Sequence, residues 1–177
     1  MLVTALRPSE LFALRWKCFD FDACLLTIKE TVYRGQLRAF TKTTEQGDTD
    51  RLTVYVPQAV AVTLIEWCAQ SKHNLAEDFI FGTDSGKFWW KENYQRRVLD
   101  PIAKLAGVKA NFACLRRSVA THCQHLGSPK DISVMMRHKR VATAQDNYVQ
   151  AIESSVREMA EKLAGKVLKG SNEVPTI

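Results

Sequence analysis

Hydrophobic and polar positions follow two different spacings along the chain, and the spacing typical of strands dominates residues 26–56. Strand-forming residues are frequent in residues 26–32, and apolar positions alternate in residues 52–56 until Pro57 ends the segment. Residues 33–36 have the composition of a turn, and residues 37–43 suit a further strand. These segments predict a small three-stranded antiparallel sheet near the N-terminus.

Helical spacing dominates the rest of the chain. A short first helix is predicted for residues 8–14, because Pro8 suits the first helical position and Leu11 and Leu14 share a face. Later helices are predicted at residues 59–71, 91–106, 115–126, 128–137, 141–149 and 154–168. The helix over 91–106 is expected to bend or break at Pro101. We therefore predict an α+β fold that is mainly α.

The length of the chain, 177 residues, corresponds to one domain. With 46% hydrophobic and 25% charged residues, the sequence has enough apolar material for a core, which excludes disorder for most of its length. We assign residues 1–168 to this domain and predict that the polar residues 169–177 form a disordered tail.

Targeting and redox features favour a cytoplasmic location. The sequence contains no run of about 18 apolar residues and no secretory signal at its start, so no membrane association is expected. Its five cysteines are odd in number and form no C-x-x-C pair. This pattern favours reduced thiols over a disulfide framework or a zinc site.

Positive charge is concentrated in one window of the sequence. The formal net charge is +6, and residues 115–140 contain six Lys or Arg against the single acid Asp131. Such a window favours a polyanionic partner, although a solvated basic face would have the same composition.

Five side chains of complementary chemistry stand out: Arg7, Lys42, Arg116, His138 and Tyr148. Arginine presents a fork of N–H donors that matches phosphate oxygens. A phenol among cations ionises below its ordinary pKa of about 10 and can act as a nucleophile. A lysine can protonate a leaving oxygen. Because the sequence has no acidic cluster for Mg²⁺ and no His/Cys cluster for Zn²⁺, the set suits metal-free cleavage of a phosphodiester.

Each of these residues also has a purely structural interpretation. Arg7 could pair with Glu10, and Lys42 could lie on an exposed strand. His138 could stabilise a helix C-terminus, and Tyr148 could be a core residue with its hydroxyl at the rim. Only the order and spacing of the whole set favours the catalytic interpretation.

That order resembles the catalytic domain of the tyrosine recombinases, also called the phage integrase family. Residues 4–16 resemble the family's first arginine box, and residues 41–43 resemble its β-hairpin lysine. Residues 115–122 resemble the second arginine box, and residues 136–148 resemble the histidine and nucleophile segment. The resemblance covers residues 2–150.

The resemblance implies a site-specific DNA recombinase or integrase that cleaves and rejoins strands without metal, ATP or any other cofactor. Tyr148 would attack the scissile phosphate and form a 3′-phosphotyrosyl intermediate. Arg7, Arg116 and His138 would hold the non-bridging oxygens, and Lys42 would act as general acid.

Further expectations concern supporting residues and partners. Glu10 would support the helix of the first arginine, and the basic residues Arg117, Lys139 and Arg140 would contact DNA. The expected partner is double-stranded DNA, on which the protein would assemble as a tetramer from free monomers. Such a protein would be encoded by a bacterium, a phage or a mobile element.

Two departures from the family pattern matter. The second arginine box usually begins with histidine three residues before the arginine, where this sequence has Ala113. His122 and His125 would face away from Arg116 on one helix, so neither replaces it, and slower cleavage is expected. The family also carries an N-terminal core-binding domain, which is expected to be absent because the chain starts close to Arg7.

Two alternatives stay open at the level of sequence. The amphipathic helix over residues 154–168 could pack on a neighbouring subunit, as the resemblance implies, or on its own core. The function could also be that of a topoisomerase with the same tyrosine chemistry, or of a catalytically weakened or inactive DNA-binding relative, which Ala113 alone favours.

Overall fold

The computed structural model describes residues 1–39, 53–137 and 154–170. Within these ranges the fold is mainly helical, with two small antiparallel sheets formed by residues of the first third of the chain. The predicted α+β class is therefore confirmed. The predicted helix over 141–149 lies outside the described residues, as do residues 171–177 of the predicted tail. Lys169 and Gly170, which were assigned to that tail, instead belong to the last described helix.

The strands form two sheets rather than the single predicted one. Strands β1 (Phe19–Asp20), β2 (Leu25–Thr27) and β5 (Thr53–Tyr55) form an antiparallel sheet in the order β1-β2-β5. Strands β3 (Thr31–Tyr33) and β4 (Gln36–Arg38) form a separate hairpin. The two sheets face different parts of the core: Leu26 of β2 packs with Val54, whereas Val32 of β3 packs with Phe12.

The hairpin turn between β3 and β4 matches the predicted turn at residues 33–36. Arg34 and Gly35 both have positive φ, 49° and 74°, as a two-residue hairpin turn requires. A Cβ atom at Gly35 would lie 2.1 Å from Cζ3 of Trp90, so this glycine also allows the ring to pack on the turn.

Seven α-helices lie in the described ranges: α1 (Pro8–Leu11), α2 (Gln58–Gln70), α3 (Lys91–Tyr94), α4 (Asp100–Leu105), α5 (Phe112–Cys123), α6 (Pro129–Met136) and α7 (Ser154–Gly170). A single turn of 3₁₀ helix spans Trp16–Cys18. A π-helical turn over Gln95–Leu99 joins α3 to α4. This turn ends two residues before Pro101, the residue at which the sequence predicts a bend. Pro101 has no N–H to donate, so the regular hydrogen-bond ladder is interrupted there.

Helix α5 spans two regions of the core and thereby fixes the position of its middle residues. At its start, Phe112 packs edge-on against Phe12, with the ring centroids 5.7 Å apart. Towards its end, Val119 and Cys123 are buried in a cluster that also contains Ala5. The middle of α5 is therefore held next to the first residues of the chain.

Helix α7 packs on the core of its own chain in this structure, which is one of the two arrangements predicted for this amphipathic helix. Val156, Met159 and Leu163 are buried in the same cluster as residues of α5 and α6. Glu161 accepts hydrogen bonds from Tyr55 Oη at 2.9 Å and from the amide of Gln58 at 2.8 Å. The burial of Tyr55, reinforced by this carboxylate, raises its pKa to about 12, so the phenol remains a donor.

Two further sequence expectations concern cysteines and membranes. All five cysteines lie in the described ranges and are free thiols. A search of the helices in these ranges found none with the length and hydropathy to cross a bilayer.

Candidate active site

Arg7 is held at the start of α1 by the residue one turn later. Its backbone N–H donates to Oε2 of Glu10 at 2.7 Å, and its Nη1 donates to Oε1 of the same carboxylate at 2.7 Å. Glu10 is only 1% exposed. The sequence favours this turn because Pro8 occupies the first helical position and Glu10 can reach back to the exposed amide.

Arg116 projects from the middle of α5 towards the same place. Asn111 caps this helix by accepting a hydrogen bond from the amide of Cys114 at 2.8 Å. Arg116 Nη1 donates to the carbonyl of Ala5 at 2.7 Å, and its Nη2 donates to the carbonyl of Met136.

Helix α6 brings a third guanidinium into this site at its C-terminus. The helix begins with a capping box, in which the amide and hydroxyl of Ser128 donate to Asp131 at 2.9 and 2.7 Å. It ends at Met136, and Arg137 follows in the left-handed conformation with φ 52° and ψ 54°. Arg137 Nη2 donates to Oε2 of Glu10 at 2.5 Å and to the carbonyl of Ala5 at 3.3 Å.

The two predicted arginines therefore converge although they are far apart in sequence. Arg7 Nη2 donates to the carbonyl of Arg137 at 3.1 Å, while Arg116 donates to the carbonyl of the preceding residue, Met136. Two neighbouring carbonyls thus hold two guanidiniums side by side. Glu10, the predicted supporting residue, is the carboxylate of this cluster.

Arg137 is a member of this site that the sequence analysis did not identify. Its charge contributes to the basic window of residues 115–140, but a charged residue beside His138 gives no reason to expect burial. Its position did carry a signal, because the residue after a helix C-terminus is often glycine in the left-handed conformation. A long cationic side chain at such a position is unusual and indicates a specific contact.

The charges of the cluster are strongly coupled. Burial alone would raise the pKa of Glu10, but the guanidiniums of Arg137 and Arg7, together with the Arg7 amide, outweigh it and lower the pKa. Burial also lowers the pKa of Arg137, against the opposing effect of Glu10. The carboxylate is therefore ionised at neutral pH and divides its two oxygens between two guanidiniums.

The cluster carries an excess of positive charge. Burial, together with repulsion by Arg7 and Arg137, lowers the pKa of Arg116 to about 10, and the guanidinium stays charged at neutral pH. The site contains three guanidinium cations and one carboxylate, and the Arg7 side chain is 26% exposed. An anion with several oxygens, such as a phosphate, would relieve this repulsion and accept the remaining N–H donors.

Other predicted positions lie around or outside this cluster. Arg117 is exposed on α5, with its Nε 3.4 Å from the carbonyl of Ala113. Ala113 is exposed on the first turn of α5, one turn before Arg116, and His122 and His125 are exposed as well. The remaining predicted site residues lie outside the described part of the chain: Lys42, His138, Lys139, Arg140 and Tyr148.

The described part of the chain also bears on metal binding. It contains no cluster of three or more His, Cys, Asp or Glu side chains that could hold a metal ion. The chemistry of the arginine cluster itself, cationic donors around one carboxylate, suits an anion rather than a cation.

A comparison with protein families gives a match over most of the chain. The sequence model of the Phage integrase family matches residues 1–154. No curated protein sequence matches the chain significantly.

Solved structures with a similar fold come from the same class of protein. The crystal structure of XerA recombinase aligns with a TM-score of 0.56 at 15% identity, covering 99% of this chain. The Tn1549 transposon integrase aligns with a TM-score of 0.62 at 18% identity, covering 92% of this chain, in complexes with transposon right end DNA and with a circular intermediate DNA. In each case the alignment spans 56% of the other chain, so this chain corresponds to about half of its structural neighbours.

Proposed function

The chain belongs to the phage integrase family, and on that premise we propose that it is a tyrosine-type site-specific recombinase. The observation that carries the proposal is the convergence of Arg7 and Arg116 on the adjacent carbonyls of residues 137 and 136. These two arginines are more than a hundred residues apart in sequence, and together they form a cationic site whose remaining N–H donors suit the oxygens of a phosphate group.

In the proposed reaction Tyr148 is the nucleophile. Its phenolate oxygen attacks the scissile phosphorus, a new phosphorus–oxygen bond forms, and the bond to the 5′ oxygen breaks. Lys42 transfers a proton to that leaving oxygen, and Arg7, Arg116 and His138 stabilise the charge on the non-bridging oxygens. The energy of the broken ester is kept in the 3′-phosphotyrosine, so a 5′-hydroxyl of a partner strand can reverse the step without ATP, metal or another cofactor.

Double-stranded DNA is the proposed partner. The net charge of +6 and the exposed Arg117 support this, as do the DNA complexes of the Tn1549 integrase. Lys139 and Arg140 are further proposed contacts, and binding is expected to weaken steeply with salt. We propose assembly into a tetramer on DNA and a monomer without it.

The test of the proposal is the formation of a covalent protein–DNA adduct. Nicked duplexes with randomised sequence, which release the leaving strand and trap the intermediate, make it unnecessary to know the target. The wild-type chain should form an adduct that Tyr148→Phe abolishes, because phenylalanine has no nucleophilic oxygen. Tyr94→Phe is the matched control, since Tyr94 packs in the aromatic cluster 5.0 Å from Phe12, and it should retain the adduct.

The same assay distinguishes the alternative functions. A folded chain that binds DNA but gives no adduct from any duplex would be an inactive DNA-binding relative. Relaxation of supercoiled DNA that bears a single selected site would instead identify a topoisomerase.

The residue three positions before Arg116 offers a gain-of-function test. Ala113 lies one helical turn before Arg116 on an exposed face, so a histidine there has room to add a donor beside that guanidinium. Ala113→His should accelerate adduct formation by about 10²-fold, the typical contribution of one such donor. Single-turnover rates at saturating DNA measure this, and an unchanged or lower rate would contradict it.

A further inference from the structure

We infer that Arg137 is a positioning residue for strand cleavage, which sets the geometry of Arg7 and Arg116 by occupying one oxygen of Glu10. This inference rests on the proposed function, because it concerns the same phosphate site. Arg137 itself is not proposed to touch the substrate, since its side chain is only 9% exposed.

The two oxygens of the Glu10 carboxylate bind two different guanidiniums. Arg7 Nη1 binds Oε1 at 2.7 Å, and Arg137 Nη2 binds Oε2 at 2.5 Å. Without the Arg137 side chain, the buried Oε2 would lose its charged partner. The Arg7 guanidinium would then be drawn into a two-point pair with both oxygens, which is the geometry that arginine and carboxylate prefer. Its donors would turn away from the phosphate.

The backbone at the C-terminal end of α6 also holds both predicted catalytic arginines. The carbonyls of residues 136 and 137 accept from Arg116 and Arg7, so their placement determines where those guanidiniums lie. The Arg137 side chain fixes this turn to the start of the chain through Glu10 and the carbonyl of Ala5, 3.3 Å away. The side chain and the backbone carbonyl of Arg137 therefore hold the C-terminal end of α6 against the start of the chain.

The backbone conformation of Arg137 also indicates a specific role. Arg137 has φ 52°, a region where a side chain is unfavourable and glycine is the unstrained choice. An arginine at this position therefore carries a backbone cost that the buried ion pair offsets. A residue held in such a conformation at a charged site is a reason to look for function.

The test compares the wild-type chain with Arg137→Gly and Arg137→Lys, using a duplex selected in the adduct assay. Arg137→Gly removes one partner of the buried ion pair but relieves the backbone strain, and Arg7 stays paired with Glu10. The variant should therefore be less stable to urea than the wild type but still fold and bind DNA. Its cleavage rate at saturating DNA should fall about 10²-fold, the effect of misplacing a reacting group by about 1 Å. Arg137→Lys keeps a cation for Oε2 and should recover at least about tenfold of that loss.

A second measurement does not depend on cleavage. Binding of orthovanadate, a phosphate analogue, is followed through the Nε–Hε resonances of the arginines. Arg137→Gly should weaken this binding about tenfold and Arg137→Lys should restore it. Arg97→Ala, which removes one exposed arginine, is the control and should change neither readout by more than about twofold.

The outcomes separate this inference from the proposed function. If the wild-type chain cleaves DNA and Arg137→Gly cleaves equally fast, or if lysine recovers nothing, the positioning role is overturned and the function stands. If no variant forms an adduct but vanadate binding follows the expected order, Arg137 positions the two arginines around an anion, and the proposed function and the role in strand cleavage both fail. Equal vanadate binding by all variants, or none by the wild type, overturns the positioning role.

Discussion

Replacing Arg116 with alanine should slow formation of the covalent protein–DNA complex by about 10³-fold or more, the range found when an arginine that stabilises phosphoryl-transfer charge is removed. Arg116 is the member of the cluster that joins α5 to both the Ala5 and the Met136 carbonyl. Its loss therefore removes a charge next to the phosphate and a contact that helps to align Arg7. The measurement is the single-turnover rate of adduct formation at saturating DNA.

The next residue in the chain provides the matched control for this prediction. Arg117 lies on the same helix but is exposed, and its Nε donates to the carbonyl of Ala113 on the preceding turn. Arg117→Ala should leave the cleavage rate at saturating DNA unchanged. It should weaken DNA binding and reduce the slope of log affinity against log salt by about one unit. Equal rates for Arg116→Ala and the wild type would refute a catalytic role for Arg116.

Glu10→Gln should lower the free energy of unfolding by about 3 kcal/mol at neutral pH, the usual effect of removing one partner of a buried ion pair. Glu10 is fully buried and is paired with both Arg7 and Arg137. The neutral amide would leave those guanidiniums without their counter-charge. Urea unfolding of the two proteins at pH 7 gives the difference directly.

The pH dependence of that difference identifies ionisation of Glu10 as its cause. The pKa of Glu10 is lowered in the folded chain from its ordinary value of 4.5. Its contribution is therefore complete above pH 4.5 and disappears as the pH falls through the lower folded value. The wild type and Glu10→Gln should thus converge in acid. Glu77→Gln is the control, because Glu77 pairs with Lys17 on the surface, and it should change stability far less.

The sequence is a good guide to this site where the chemistry depends on residue type and spacing. The order and spacing of Arg7 and Arg116, and for Glu10 the family resemblance, predicted these three residues as members of the site, and the fold brings them together. Arg137 was missed because its role depends on a left-handed backbone and on a carboxylate far away in sequence. Neither the conformation nor the distant partner leaves a periodic pattern.

The sheets show the same limit. The turn at Arg34 and Gly35 and the strand segments near residues 26–32, 37 and 53–55 follow from local composition. Strand β1 was not predicted, and the strand predicted over 26–32 is two strands in different sheets. The pairing of the strands does not follow from local composition, because β2 joins β5 across a long interval and the hairpin packs on a different part of the core. Which strand pairs with which is decided by the side chains that each face buries, and only the folded chain specifies that.

The cluster that buries Ala5 also buries Met159 and Leu163 of the last described helix. The backbone carbonyl that receives Arg116 therefore takes its place only when α7 packs against residues 3–5. On the ribosome, the first arginine emerges well over a hundred residues before the helix that completes its support. Assembly of the phosphate site must then wait until α7 has been synthesised, so the nascent chain holds its guanidiniums apart until that helix emerges.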